Sequence, residues 1–70
     1  MATLTLRSDY ITLAQALKAS GLAETGGQAK HLVRSGNVIV NGALETIPGR
    51  KLVAGDRFRL GKGEEWVVSA

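Results

Sequence analysis

The 70 residues contain no cysteine, so disulfides and thiolate metal sites are excluded as staples. Histidine is nearly absent: His31 stands alone, which rules out a multi-histidine metal site. Only three aromatic residues occur, Tyr10, Phe58 and Trp66, so the core must be mainly aliphatic. Long apolar runs are missing as well, and nothing reads as a signal peptide or a membrane span. The expectation is a soluble, cytoplasmic protein. Acidic residues are few and scattered. Glu24, Glu45 and Asp56 lie near turns without forming a carboxylate pair, and no nucleophile, base and orienter assemble around His31. Gly26-Gly27 lacks both the spacing and the preceding strand of a nucleotide-binding glycine loop. No catalytic residue, no metal and no cofactor are therefore expected, and the chain reads as a binding module.

What is present is a modest basic excess. Nine Lys and Arg against six Asp and Glu give a net charge of +3, with a pI of about 9.8. That suits an anionic partner, but where the charges fall matters more than their sum. A chain this short buries only about 60% of its unfolded surface, which leaves thin margins and room for one domain, residues 1–70.

Along the chain, Thr3 to Arg7 alternates, with Leu4 and Leu6 on one side, and predicts a short edge strand. Thr12 with Gln15 three residues later is a capping-box pattern. Leu13, Ala14, Ala16 and Leu17 supply an apolar face, and Gly21 a left-handed stop with Leu22 folding back. The pattern repeats: Thr25 caps, Gln28 follows, Ala29, Leu32 and Val33 form the buried stripe, and Gly36 stops the helix. Gly26 and Gly27 in the first turn cost about 1 kcal/mol each relative to alanine. A close backbone approach, to the first helix or to a ligand phosphate, is the expected compensation. After Gly36 the period turns to alternation. Asn37 to Val40 reads as a strand, Asn41-Gly42 as a hairpin turn, and Ala43 to Ile47 as its return. Pro48-Gly49 and Gly55-Asp56 mark turns, with Asp56 bonding its own turn. Arg57 to Leu60 and Glu65 to Val68 read as two strands joined by Gly61-Lys62-Gly63. The order predicts an α+β fold, two helices on a small antiparallel sheet.

At about 100° per residue, Lys30, Arg34, Gly27, His31 and Gln28 share the side of the second helix opposite Ala29, Leu32 and Val33. A solvated face is the ordinary reading of such a side. The phosphate-binding reading gains because no acidic residue interrupts Gln28 to Gly42. Arg50 and Lys51, after the Pro-Gly turn, form a second basic point. Arg57, Arg59 and Lys62 form a third, with Asp56, Glu64 and Glu65 near enough to pair with them locally. Tyr10 and Trp66 are read as core or edge-covering residues rather than platforms for bases.

The segment Gly21 to Phe58 resembles the alpha-L RNA-binding motif, the domain named after ribosomal small-subunit protein S-four. The resemblance rests on Thr25, Ala29, Leu32 and Val33 in the second helix, then Gly36, Val38, Val40, Asn41 and Gly42, then Pro48, Lys51, Leu52 or Val53, Gly55 and Asp56. It places the core motif at about residues 12–58. It implies a non-enzymatic module for structured RNA, ribosomal or transfer RNA, with the ribosome as a candidate partner. Many members are single domains of larger proteins such as pseudouridine synthases or tyrosyl-tRNA synthetases. This chain looks most like the small stand-alone bacterial type. The RNA contacts implied are Gln28, Lys30, His31, Arg34, Asn41, Arg50 and Lys51. Two positions depart from the pattern: Gly26 stands where many members carry Arg, and Asn37 where many carry a basic residue. Low intrinsic affinity, or dependence on a second partner, follows from that. Without an aromatic platform, the shape of a folded RNA is the expected target rather than unpaired bases. The competing reading is a protein adaptor docking through a sheet edge, with Glu64-Glu65-Trp66 as its best segment.

Overall fold

The structure is a computed structural model describing residues 2–70. Seven strands and two helices follow in the order β1 (Ala2–Thr5), β2 (Ile11–Thr12), α1 (Leu13–Ala19), α2 (Gly26–Arg34), β3 (Val38–Val40), β4 (Ala43–Glu45), β5 (Lys51–Leu52), β6 (Arg57–Leu60) and β7 (Trp66–Ser69).

Both helices begin and end where local chemistry dictates. At α1, the Gln15 backbone N–H donates to Thr12 Oγ1 (3.2 Å) and the Thr12 N–H donates back to Gln15 Oε1 (3.0 Å), which completes the capping box. At α2, the Gln28 N–H donates to Thr25 Oγ1 (3.0 Å). The return bond is displaced by one residue, because Gln28 Oε1 accepts from the Glu24 N–H (2.7 Å). Gly36, at φ 82°, closes α2. Its N–H donates to Val33 O (3.2 Å) and the Asn37 N–H to Leu32 O (3.2 Å), the two bonds of a Schellman stop. Asn41 (φ 52°) and Gly42 (φ 82°) are both left-handed, the type I′ geometry that matches hairpin twist.

Five strands form one sheet in the order β1-β7-β6-β3-β4. Three of its four pairings are antiparallel, and β1 runs parallel to β7. The sheet is therefore mixed. A parallel pair needs a long crossover, and here almost the whole chain separates its two strands. A second ladder, β2 with β5, pairs Ile11 with Leu52 and Thr12 with Lys51 and ties the start of α1 to the later turn. Strand β1 lies at a sheet edge as the alternation at Leu4 and Leu6 predicts, and both leucines pack against the core.

Val38 and Val40 point inward opposite Leu60 and Phe58, and they meet Leu13, Leu17, Ala29 and Val33 from the helices. Every fully buried described side chain is apolar. A slip of one residue would turn this set to water, which is what holds the register. Trp66 sits on β7 between β1 and β6, its ring 6.3 Å from that of Phe58 and nearly parallel to it. It belongs with the core, so the Glu64-Glu65-Trp66 segment does not offer an exposed aromatic at a sheet edge.

Candidate nucleic-acid interface

Burial of Ala29 and Val33 fixes the rotation of α2, and the stop at Gly36 fixes its length. Lys30, His31 and Arg34 are left facing solvent, and none of the three makes a hydrogen bond or ion pair with a described residue. Gln28 lies on the same side. Its side-chain oxygen is occupied by Glu24, so only its amide nitrogen remains as a donor.

The two helix N-termini start from the same Thr-x-x-Gln pattern but differ in what satisfies them. At α1 the Leu13 N–H donates to Arg50 O (2.8 Å) and the Ala14 N–H to Pro48 O (3.0 Å). The chain's own turn closes that terminus. At α2 the N–H groups of Gly26 and Gly27 make no bond to a described residue. The expected close approach of these glycines to the first helix is absent. A Cβ at Gly26 would meet nothing within 4 Å, and at Gly27 only Thr25 Oγ1 at 3.9 Å.

The remaining predicted contacts are engaged within the chain. The Asn41 side-chain amide donates to Asp56 Oδ1 (3.2 Å), and its oxygen accepts from the Arg57 N–H (2.9 Å). Asn41 therefore pins the hairpin to the start of β6. Asp56 also accepts from the Val53 N–H (2.9 Å), bonding its own turn as expected. Replacing Asn41 with alanine loses both bonds and strains a left-handed position, an expected cost of about 2–3 kcal/mol by thermal or denaturant melting. Asn41→Gly keeps the turn and should cost about half as much.

Arg50 Nη1 donates to Glu45 Oε1 at 2.8 Å. The other carboxylate oxygen accepts from the N–H groups of Thr46 (3.0 Å) and Ile47 (3.3 Å). The Arg50 hydrogen bond, aided by these two amides and by the Arg50 charge, holds the Glu45 carboxyl below its usual range against the opposing effect of burial. A carboxylate with a lowered folded pKa stabilises the fold above its unfolded pKa and loses that contribution as pH falls through the folded value. Stability should therefore decline on acidification below about pH 4.5, and Glu45→Gln should flatten that part of the melting profile. Because Arg50 is partly exposed, the pair contributes at most about 1 kcal/mol. Opposite charges flanking a Pro-Gly turn were the sequence signal for this pair.

Lys51 is exposed, with Nζ 4.7 Å from the centre of the Tyr10 ring. The backbone bonds of Arg50 and the pairing of Lys51 with Thr12 attach this second basic point to the start of α1, not to α2. Tyr10 itself is 44% exposed, contrary to a core or edge-covering role. In the third basic group, Arg57 does pair locally, with Glu65 at 3.5 Å. Arg59 and Lys62 form no ion pair with a described residue. Arg59 faces away from Phe58, opposite Ile39, and its Nε is buried without a partner among the described residues. The Arg-Phe-Arg alternation is the signal that puts Arg57 and Arg59 together on the sheet's outer face.

Residues 4–69 match the S4 domain, and the chain belongs to that family. It is 43% identical over 56 residues to the Escherichia coli (strain K12) protein named "Putative RNA-binding protein YbcJ", covering 79% of this chain and 80% of that protein. The "Uncharacterized protein YbcJ" of Shigella flexneri matches to the same extent. The solution structure of E. coli YbcJ, described as revealing an αL motif involved in RNA-binding, superimposes with a TM-score of 0.74 at 38% identity. That match covers all of this chain and 89% of the other. No helix among the described residues is long and apolar enough to cross a membrane.

Proposed function

We propose that this chain is a non-enzymatic module that binds structured RNA, ribosomal or transfer RNA, in the cytoplasm, with the ribosome as a candidate partner. The carrying observation is α2: three basic or imidazole side chains, in a stretch free of acidic residues, on a helix whose first two amides, like those side chains, have no partner among the described residues. Lys30 and Arg34 neutralise phosphates, His31 and the Gln28 amide donate hydrogen bonds, and Gly26 and Gly27 let a phosphate reach the helix N-terminus. Lys51 extends the contact at the start of α1. Arg50 joins only by sharing its guanidinium with Glu45, and Asn41 acts by holding the hairpin in place. Membership of the S4 domain family and the RNA-binding description of E. coli YbcJ support the reading.

A salt titration tests it. With three or four phosphate contacts, log affinity for a folded ribosomal or transfer RNA should fall against log salt with a slope of about −3. A slope near zero, or no binding at low salt by a folded chain, overturns the proposal. The adaptor reading draws on one observation: β4 is an edge strand, and Leu44 is 59% exposed on it. Binding of that kind would ignore both salt and the charge of α2.

A further inference from the structure

Between β1 and α1 lies an open cleft of about 620 Å³. This is within the range of about 300–1,000 Å³ typical of small-molecule sites. Leu4, Leu6 and Ile11, all half-buried, give it an apolar floor, and Tyr10, Arg7 and Lys18 stand around it. Among the described residues no carboxylate lines it, and neither Arg7 nor Lys18 forms an ion pair with one of them. Asp9 and Ala70 border the adjoining concavity, which Arg7 also lines. Gln15 reaches the cleft with its oxygen already held by the Thr12 N–H, leaving its amide to donate.

We infer that this cleft receives one unpaired nucleotide. An apolar floor with an adjacent phenol suits the flat face of a base. Two unneutralised cations suit its phosphate, and a free amide donor suits a base carbonyl. A purely apolar ligand would leave both cations facing nothing, and inorganic phosphate would leave the floor wet. Tyr10 also carries Lys51 over its ring, which joins the cleft to the proposed RNA surface. A nucleotide bulged from an RNA lying over Lys51 is therefore the natural occupant, and that part of the inference rests on the RNA reading. The cleft's taste for a nucleoside monophosphate does not.

The test has two arms on the full chain. In the first, amide resonances are followed during titration with adenosine and uridine 5′-monophosphate, adenosine, and inorganic phosphate. The monophosphates should shift residues 4–10 together with Lys18, leave Lys30 to Arg34 still, and do so more strongly than either fragment. In the second, an RNA hairpin with one bulged nucleotide is compared with its fully paired form. The bulged form should bind about tenfold tighter, in keeping with the contribution of one stacked base. Tyr10→Ala should erase that preference while leaving the melting temperature nearly unchanged. Lys18→Glu should remove the monophosphate shifts. Equal shifts from phosphate alone, shifts confined to α2, or none at all would overturn the inference. If monophosphates fill the cleft while no RNA binds, the RNA reading falls, and the free nucleotide is the cleft's ligand.

Discussion

Lys30→Glu with Arg34→Glu is expected to lower RNA affinity at least a hundredfold at moderate salt. Each lost charge-assisted contact is worth about 1.5 kcal/mol or more, and about 1.4 kcal/mol is a factor of ten. The salt slope should become shallower by about 2, since roughly 0.9 of slope accompanies each phosphate neutralised. The fold should survive. Both side chains are exposed and unpaired, and their like-charge spacing is repulsive before and after the change. The cost is the loss of the Arg34 positive charge in the last turn of α2, about 0.3–1 kcal/mol. Equilibrium binding to one folded RNA, alongside a thermal melt of each protein, separates the two effects. A milder pair, Lys30→Gln with Arg34→Gln, should lie between wild type and the reversal. Unchanged affinity in a folded double variant would move the RNA surface away from α2.

The largest loss of stability should come from Phe58→Ala. Phe58 is wholly buried at the middle of the sheet, facing Val40 on one side and Trp66 on the other. Truncating such a ring costs about 3–5 kcal/mol in lost transfer energy and residual cavity. A domain of this length has in total about 3.5–10 kcal/mol. The melting temperature should drop by about 15–30 °C, or the chain should be unfolded at room temperature. Circular dichroism melting measures this directly. RNA binding would vanish with it, because β6 holds the hairpin through Asn41 and Arg57. Phe58→Leu keeps most of the apolar volume and should retain both fold and binding. A stable Phe58→Ala variant would place the stabilising centre elsewhere in the core.

How legible each feature was in the sequence depended on how local its cause is. The cap at Thr12 needs only Gln15, and the stop at Gly36 needs only a residue at ease with positive φ, so both were readable. The rotation of α2 was readable too, because Ala29 and Val33 on one side leave only one direction for Lys30 and Arg34. The cap at Thr25 was half readable. The same Gln28 serves Thr25 through its backbone and Glu24 through its side chain, and spacing rules do not separate neighbouring backbone donors one residue apart. Asn41 and Arg50 looked like free donors because their partners lie across turns: Asp56 and Arg57 for one, Glu45 for the other. The two-residue ladder between β2 and β5 is too short to leave a period. The parallel course of β1 beside β7 is a pairing of the first strand with the last, which no local window contains. Tyr10 has no periodic context either, so its exposure followed only from the path of the loop.

That parallel pair also has a mechanical consequence. Ala2 lies beside Trp66 and Thr5 beside Ser69, so the two strands point the same way. Tension applied through the chain at Ala2 and at Ser69 drags them in opposite senses along their common axis. The hydrogen bonds between them, from Ala2 N–H to Glu65 O at one end to Leu6 N–H to Ser69 O at the other, then bear the load together in shear. A hairpin pulled at its open end would instead unzip one bond at a time. The first and last strands in chain order thus act as a clamp, and helix α2 and the β3–β4 hairpin lie inside the segment that it shields from force.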